Sequence, residues 1–249
     1  MKIIATDYDG TLNHGGIDDA KREAVAKWQQ KGNLFVVVTG RDMRFCPEMH
    51  RKSGIAFDYY LACNGALIMD KEFGIIEQVF CDGAVLDELL SYLFELGCQW
   101  GTVCSQETVV IANPQTADDD ADAVVDINAY HFTYFNQVST ALPTFEDARR
   151  VTEAVARRFA GILNPLQNGT CIDIVPVGMD KAQGIRRLLS VCGARESDVV
   201  TVGDNVNDLA MIRAFRSYAM QNGVDEVKQA ADGIVLSVTE LIETQMQEK

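Results

Sequence analysis

Polar side chains whose chemistry suits phosphoryl transfer follow three short apolar segments of the chain. Where such segments are parallel strands, their carboxyl ends meet at one edge of the sheet, and ligands bind there in open α/β sheets. We therefore expect these side chains to gather in one crevice. They are Asp7 and Asp9 after the first apolar segment, Thr39 at the end of the second, and Asp204 and Asp208 after the third.

Four carboxylates in one crevice repel one another unless a cation neutralises them. Hard carboxylate oxygens favour Mg²⁺ or Ca²⁺, and Mg²⁺ is the usual partner of phosphates. Asp7 and Asp9 would share one face of a continuing strand, and Gly10 permits a sharp turn directly after them. One carboxylate of the pair can attack phosphorus, while the other protonates the leaving oxygen and then deprotonates water. The pattern therefore indicates a Mg²⁺-dependent phosphatase.

The segments that must position these residues alternate between strand and helix patterns. The first helical pattern places Ala20, Ala24 and Trp28 on one face. The next, Asp42–Ser53, contains Pro47, which predicts an early break. Near-continuous apolar strands that alternate with helices predict a parallel sheet covered on both faces, which is a Rossmann-like three-layer α/β core.

The middle of the chain has a different pattern, in which two helices alternate with several strands, as is typical of a small α+β unit. We predict a discontinuous core of residues 1–81 and 177–249, interrupted by an α+β insert of residues 82–176. Within the insert, the acidic stretch Asp118–Asp126 favours a solvated loop, because it lacks the ligand spacing of an EF-hand.

The net charge and the residue composition limit the kinds of molecule that this chain is expected to bind. The formal net charge is −14, from 36 acidic and 22 basic residues, and a field of that sign repels nucleic acid and anionic membrane surfaces. The apolar run at the N-terminus is too short for a signal peptide, and no apolar run is long enough for a membrane span. The seven cysteines form no C-x-x-C pair, which favours free thiols in a reducing cytoplasm.

The order of these motifs resembles that of the haloacid-dehalogenase-like phosphohydrolases, and most of all their Cof-type sugar-phosphatase branch. The resemblance covers nearly the whole chain. The matching segments are Asp7-Tyr8-Asp9-Gly10-Thr11-Leu12, Val37-Val38-Thr39-Gly40-Arg41, Cys63-Asn64-Gly65-Ala66, Gly178-Met179-Asp180-Lys181, Gly203-Asp204-Asn205-Val206-Asn207-Asp208 and Ala219-Met220-Gln221-Asn222.

The resemblance implies a role for each matching residue. Asp7 would be the nucleophile and a Mg²⁺ ligand, and Asp9 the general acid and base, with its backbone carbonyl on the metal. Asp204 would be the other carboxylate ligand. Thr39 would bind the phosphate, and Lys181 would neutralise the nucleophile and the phosphoryl oxygens. Supporting positions near the phosphate or the metal would be Gly40, Asn64, Asn207 and Asp208.

By the same resemblance, the insert is a cap domain that closes over the core and reads the leaving group, so that residues 82–176 would set substrate specificity. The expected substrate is a small phosphorylated metabolite such as a sugar phosphate. Two other functions are open: a phosphomutase that uses the same aspartyl-phosphate, and a regulator that binds a phosphometabolite without cleaving it. A phosphoacceptor receiver domain is disfavoured by the insert.

Several residues also have a purely structural interpretation. Lys181 by itself fits an exposed helix lysine, and Asp208 fits a carboxylate favoured by a helix N-terminus. Thr39 could bond its own backbone. Arg41 could reach a substrate phosphate or pair with the acidic residues. Trp100 and Tyr130 could line a pocket, but packing is the simpler interpretation.

Overall fold

The computed structural model of the chain describes residues 1–105, 107–113 and 132–247. Its internal contacts divide the chain into two units. The first consists of Met1–Glu77 and Asp180–Lys249, and the second of Gln78–Met179. The sequence-based boundaries, after residues 81 and 176, lie within a few residues of these. The acidic stretch Asp118–Asp126 and Tyr130 lie outside the described residues.

The described residues form strands β1 to β15 and helices α1 to α8, numbered in chain order. The strands are β1 Ile3–Thr6, β2 Leu34–Val38, β3 Tyr59–Ala62, β4 Leu67–Asp70, β5 Ile75–Gln78, β6 Cys81–Asp82, β7 Trp100–Cys104, β8 Thr108–Ala112, β9 Tyr134–Phe135, β10 Gln137–Ala141, β11 Leu163–Asn168, β12 Cys171–Pro176, β13 Val199–Gly203, β14 Arg216–Met220 and β15 Gly233–Val235. The helices are α1 Asp19–Gln30, α2 Phe45–Ser53, α3 Leu86–Glu95, α4 Phe145–Arg158, α5 Lys181–Cys192, α6 Leu209–Ala214, α7 Asp225–Ala230 and α8 Val238–Gln247. Among the described helices, none is both long and apolar enough to cross a membrane.

An eight-stranded sheet forms the centre of the first unit, in the order β15-β14-β13-β1-β2-β3-β4-β5. From β15 to β3, neighbouring strands run parallel. β4 runs antiparallel to β3. The central position of β1, between β13 and β2, brings the carboxyl ends of three strands together.

Helices cover both faces of this sheet, because alternate residues of each strand point to opposite sides. Ile4 of β1 belongs to an apolar cluster with Trp28 of α1 and Leu241 of α8. Its neighbour Ile3 belongs to a second cluster, with Ile185 of α5. Every residue of β1 is buried, as expected for a strand packed on both faces. The predicted three-layer α/β core is confirmed.

Three features of the first unit differ from the sequence-based expectation. Pro47 does not break α2: it lies in the first turn, where its missing N–H would have no helical partner. On α1, Ala24 and Trp28 are buried as expected, but Ala20 is exposed and Lys21 is buried instead. The strands β4 and β5, which extend the sheet, had no predicted counterpart.

The second unit is built on an antiparallel five-stranded sheet, in the order β11-β12-β10-β7-β8. One face of this sheet packs against α3 and α4. Val138 of β10 shares an apolar cluster there with Leu89 and Leu93 of α3 and Val151 and Val155 of α4. β6 and β9 form a separate two-stranded sheet. The unit therefore has an α+β architecture and a core of its own.

Candidate active site

The carboxyl ends of the central strands carry the residues that the sequence singled out. Asp7 directly follows β1, and its N–H donates to the carbonyl of Val202 in β13 (3.0 Å). Thr39 directly follows β2, and its N–H donates to the carbonyl of Leu61 in β3 (2.8 Å). Both side chains are buried. The parallel register thus places Asp7, the candidate nucleophile, and the hydroxyl of Thr39 at the same edge of the sheet.

Lys181 lies between two carboxylates. Its ammonium donates to Asp7 Oδ1 and to Asp208 Oδ1, each at 2.6 Å, and its side chain has no exposed surface. Burial by itself would lower the pKa of Lys181, but Asp208 and Asp7 together raise it. The amine is therefore charged at neutral pH. The alternative interpretation, an exposed helix lysine, is wrong.

A close backbone approach brings Lys181 to this position. Lys181 is the first residue of α5. One turn later in the same helix, Gly184 lies against Gly65, which has a φ of +88°. A Cβ at Gly184 would be 2.5 Å from the Gly65 Cα, so neither position accepts a side chain without a shift. Asn64, the residue before Gly65, is buried, and its N–H donates to the carbonyl of Thr39 (2.9 Å).

Asp208 accepts hydrogen bonds from the Lys181 ammonium and from a backbone turn. One oxygen accepts from Lys181, and the other accepts from the N–H groups of Asp204 (2.8 Å) and Asn205 (3.0 Å). It therefore organises the turn after β13 while it binds the ammonium. Asp204 is half-buried, and its Oδ1 accepts from the hydroxyl of Thr11 (2.6 Å). This bond joins the turn to the loop that follows β1.

Three contacts that sequence reasoning missed hold the loop after Asp7. Gly10 has a φ of +81°, and a Cβ there would overlap the Asp204 carboxylate. The Asn222 side chain donates to the carbonyl of Gly10 (2.9 Å). The ammonium of Lys21 donates to the carbonyls of Leu12 (2.8 Å) and Gly16 (2.7 Å). Gly10 and Asn222 each belonged to a matching motif in the sequence, whereas Lys21 had no such signal.

Three carboxylates at this edge of the sheet form a candidate metal site. Asp7, Asp204 and Asp208 each offer an oxygen, and these oxygens lie within 4.8 Å of one another. Burial raises the pKa of Asp7, and Asp208 and Asp204 raise it further, against the opposing effect of Lys181. Burial likewise raises the pKa of Asp204. Three carboxylates face one ammonium, so a divalent cation would balance the charge. Hard oxygen donors with this charge fit Mg²⁺.

Asp9 is exposed, and its side chain turns toward Arg41 instead of this cluster. Arg41 donates to both oxygens of the Asp9 carboxylate, at 2.6 and 2.8 Å, and its guanidinium lies over the ring of Phe45 (4.8 Å to the centroid). Of the two roles considered for Arg41, the structure contains the pairing with an acidic residue. The other supporting positions, Gly40 and Asn207, are half-buried at the same edge of the sheet.

The chain matches a protein-family model and several known proteins over most of its length. A family model described as haloacid dehalogenase-like hydrolase matches residues 4–241. The chain belongs to this family. Among solved structures, a haloacid dehalogenase-like hydrolase from Bacillus subtilis superposes with a TM-score of 0.83 at 21% identity, over 99% of this hydrolase and 98% of that chain. At that identity the likeness shows the fold alone.

Two curated relatives carry activity names. A 5-amino-6-(5-phospho-D-ribitylamino)uracil phosphatase of Bacillus subtilis is 25% identical over 94% of this hydrolase and 89% of its own length. A protein of the same name from Escherichia coli is 26% identical, over 93% and 89%. With the family match, they identify this hydrolase as a phosphoric monoester hydrolase.

Proposed function

We propose that this hydrolase is a Mg²⁺-dependent phosphatase that cleaves a small sugar phosphate or sugar-alcohol phosphate through a phosphoryl group carried on Asp7. The observation that carries the proposal is the buried ammonium of Lys181, bonded to both Asp7 and Asp208. A fully buried charge is costly to maintain. Its position at the ligand-binding edge of the sheet supports a role in neutralising an anion.

In the first step, a carboxylate oxygen of Asp7 attacks phosphorus in line with the leaving oxygen. The bond from phosphorus to the leaving oxygen breaks, and Asp9 donates a proton to that oxygen. Lys181 and Thr39 hold the charge that builds up on the phosphoryl oxygens, since positioning and neutralisation account for most of the catalysis in phosphoryl transfer. Mg²⁺ bound by Asp7, Asp204 and the backbone carbonyl of Asp9 would add positive charge at the same oxygens.

In the second step, Asp9 takes a proton from water, and the water oxygen attacks the phosphorus of the aspartyl-phosphate. The bond to Asp7 breaks, inorganic phosphate leaves, and both carboxyl groups return to their starting states. In the resting arrangement both oxygens of Asp9 are bound to Arg41. Asp9 must therefore give up at least one of its hydrogen bonds to Arg41 before it can donate a proton to the leaving oxygen.

The substrate class follows from the relatives and from the charge of the chain. Both named relatives are phosphatases of a compound whose phosphate is on a ribityl chain, as their names state, which supports a phosphorylated sugar or sugar alcohol here. The net charge of −14 disfavours extended polyanions as substrates. We place the enzyme in the cytoplasm because its cysteines lack the pattern of a disulfide framework. The role of residues 82–176 in substrate choice stays a prediction.

Release of inorganic phosphate tests the proposal. We would measure it from a panel of sugar and sugar-alcohol phosphates, with Mg²⁺ or with EDTA, for the wild type and for Asp7→Asn. The matched control is Asp58→Asn. Asp58 is half-buried in the same unit and precedes β3, at the opposite edge of the sheet, where it accepts from the N–H of Phe35 (2.8 Å). Any general effect of losing a structural carboxylate should appear in both variants.

The proposal expects release that needs Mg²⁺, is abolished by Asp7→Asn and persists in Asp58→Asn. An isomerised product without free phosphate would favour the phosphomutase. Tight binding of one ester without any turnover would favour the regulator. Release that is equal in EDTA, or that survives in Asp7→Asn, would remove the proposed mechanism.

A further inference from the structure

A cavity of about 180 Å³ opens in the first unit beside Asp9. Its walls come from the loop after β1 and from α2 with the segment before it. Tyr8 and Phe45 give it aromatic surface, and Arg41 and Glu48 give it charged groups. Arg41 also holds the Asp9 carboxylate, so the cavity begins one side chain away from the proposed acid.

The charges that line this cavity are paired. Arg41 binds Asp9, and Lys52 binds Glu48 at 2.6 Å across one turn of α2. The cavity therefore offers both donors and acceptors, and each charged side chain that lines it has a partner of opposite sign. A second phosphate or a carboxylate would meet the negative charge of Glu48, whereas a hydroxyl group can donate to Glu48 and accept from Lys52.

We propose that this cavity binds the hydroxyl-bearing carbon chain of the leaving alcohol, so that the residues lining it select polyol and sugar phosphates over simple alkyl phosphates. The inference rests on the proposed phosphatase function. Tyr8 and Phe45 would pack against the C–H groups of the chain, as aromatic rings do with amphipathic ligands. Glu48, Lys52 and the Asn13 amide would bind its hydroxyls.

The size of the cavity agrees with this occupant. Its volume of about 180 Å³ is below the roughly 300 Å³ at which pockets for drug-sized ligands begin. A short polyol chain fits such a space.

The test compares two esters, ribitol phosphate and methyl phosphate, whose leaving alcohols differ in their hydroxyl groups. The variant Glu48→Met keeps the helix and the length of the side chain but removes the acceptor. We expect the ratio of kcat/KM for ribitol phosphate to kcat/KM for methyl phosphate to fall about tenfold, which is typical for a hydrogen bond to a charged group. Most of the change should be in KM. Glu48→Gln, which keeps an acceptor, should restore part of the ratio.

Glu23→Met is the matched control. Glu23 and Lys27 form the same kind of exposed pair one turn apart, on α1, and neither lines the cavity. A second variant, Asn13→Ala, tests the opposite wall and should lower the ratio in the same direction. Melting temperatures measured alongside identify any variant that has failed to fold.

The two proposals fail in different ways. If the wild type releases phosphate from both esters but Glu48→Met and Asn13→Ala leave the ratio unchanged, the cavity does not select the leaving group, while the phosphatase function stands. A ratio that falls equally in Glu23→Met leads to the same conclusion. If the wild type releases no phosphate from either ester or from the wider panel, the phosphatase function fails, and this inference fails with it.

Discussion

At the scale of single residues, the buried Lys181 connects stability to function. An ammonium without exposed surface loses its hydration, and only well-placed carboxylates can compensate for that loss. Asp7 and Asp208 do so at 2.6 Å each. Asp208 is itself held by two backbone N–H groups. The network therefore fixes the position of Asp7, the proposed nucleophile, before substrate binds.

Lys181→Met should impair both activity and stability. Removal of the ammonium leaves two buried carboxylates without their partner, which costs about 3 kcal/mol in the free energy of unfolding. Loss of the charge that faces the phosphoryl oxygens should lower kcat by roughly a hundredfold or more. Urea denaturation and steady-state kinetics measure the two effects. Unchanged kcat in a folded variant would show that Lys181 is purely structural.

Single residues also show what sequence can and cannot reveal. Asp7, Thr39, Asp204 and Asp208 were found from local pattern alone, because each follows an apolar strand. Lys181 looks like any helix lysine, and only the order of motifs singled it out. Asp9 and Arg41 are 32 positions apart in the sequence. Because tertiary structure decides which acidic residue Arg41 contacts, their pairing could not be predicted from local sequence.

At the scale of elements, the approach of α5 to the turn after β3 positions Lys181. Gly184 on the helix and Gly65 in the turn have to be glycines, since a Cβ on either would meet the other's Cα. The site therefore depends on a contact between two backbones as well as on its polar side chains.

Gly184→Ala should separate these two elements. The new methyl group requires a shift of backbone, which costs about 2 kcal/mol of stability, as overpacking generally does, although alanine is the better helix former. Because Lys181 lies one turn away, kcat should fall more than KM changes. Ser190→Ala, at an exposed position of the same helix, is the control for a small change of side chain. Wild-type kcat and stability in Gly184→Ala would contradict the packing argument.

Lys21 of α1 makes a second prediction at this scale. Its ammonium donates to the carbonyls of both Leu12 and Gly16, so Lys21→Met should free the loop after Asp7. We expect a loss of about 2 kcal/mol, since several hydrogen bonds to a charged group disappear. Faster amide hydrogen exchange should be confined to that loop. Exchange that increases evenly across the whole first unit would instead indicate general destabilisation.

The helices and strands were predicted less evenly than the residues that gather at the candidate site. Buried parallel strands such as β2 have continuous apolar sequence, so their positions were correct. β4 and β5 were missed: β5 is partly exposed and lacks that signal. The sequence predicts an early break of α2 at Pro47, but in the first turn of a helix a proline costs no hydrogen bond. On α1, Lys21 is buried because loop carbonyls accept from it, and apolar periodicity cannot reveal that.

At the scale of the whole molecule, the excess of acidic residues favours the binding of a cation. Three carboxylates cluster at the site in a chain whose net charge is −14. Each of the two units has its own apolar core, and the cluster belongs entirely to the first. A cation that binds there should therefore stabilise the folded first unit by mass action.

Mg²⁺ should raise the melting temperature, and the gain at a hundred times its dissociation constant corresponds to about 2.7 kcal/mol. Asp204→Asn should remove most of the gain. An equal gain from NaCl at matched ionic strength would indicate screening instead of a site.

Stability should also depend on pH. Because the pKa of Asp7 is raised in the fold, ionising Asp7 costs more in the folded than in the unfolded chain. Stability without Mg²⁺ should therefore fall as the pH rises from the ordinary carboxyl range toward neutrality.

The most direct test of the central claim is to detect a phosphoryl group on Asp7. We would mix the enzyme, Mg²⁺ and its best sugar phosphate, quench with acid within the first turnover, and map the modified peptide by mass spectrometry. The account predicts a single acid-stable, alkali-labile phosphoryl group on the peptide that contains Asp7, absent in Asp7→Asn and present in Asp58→Asn. Rapid phosphate release with no phosphoryl-enzyme at any quench time, or with the group on another residue, would contradict it.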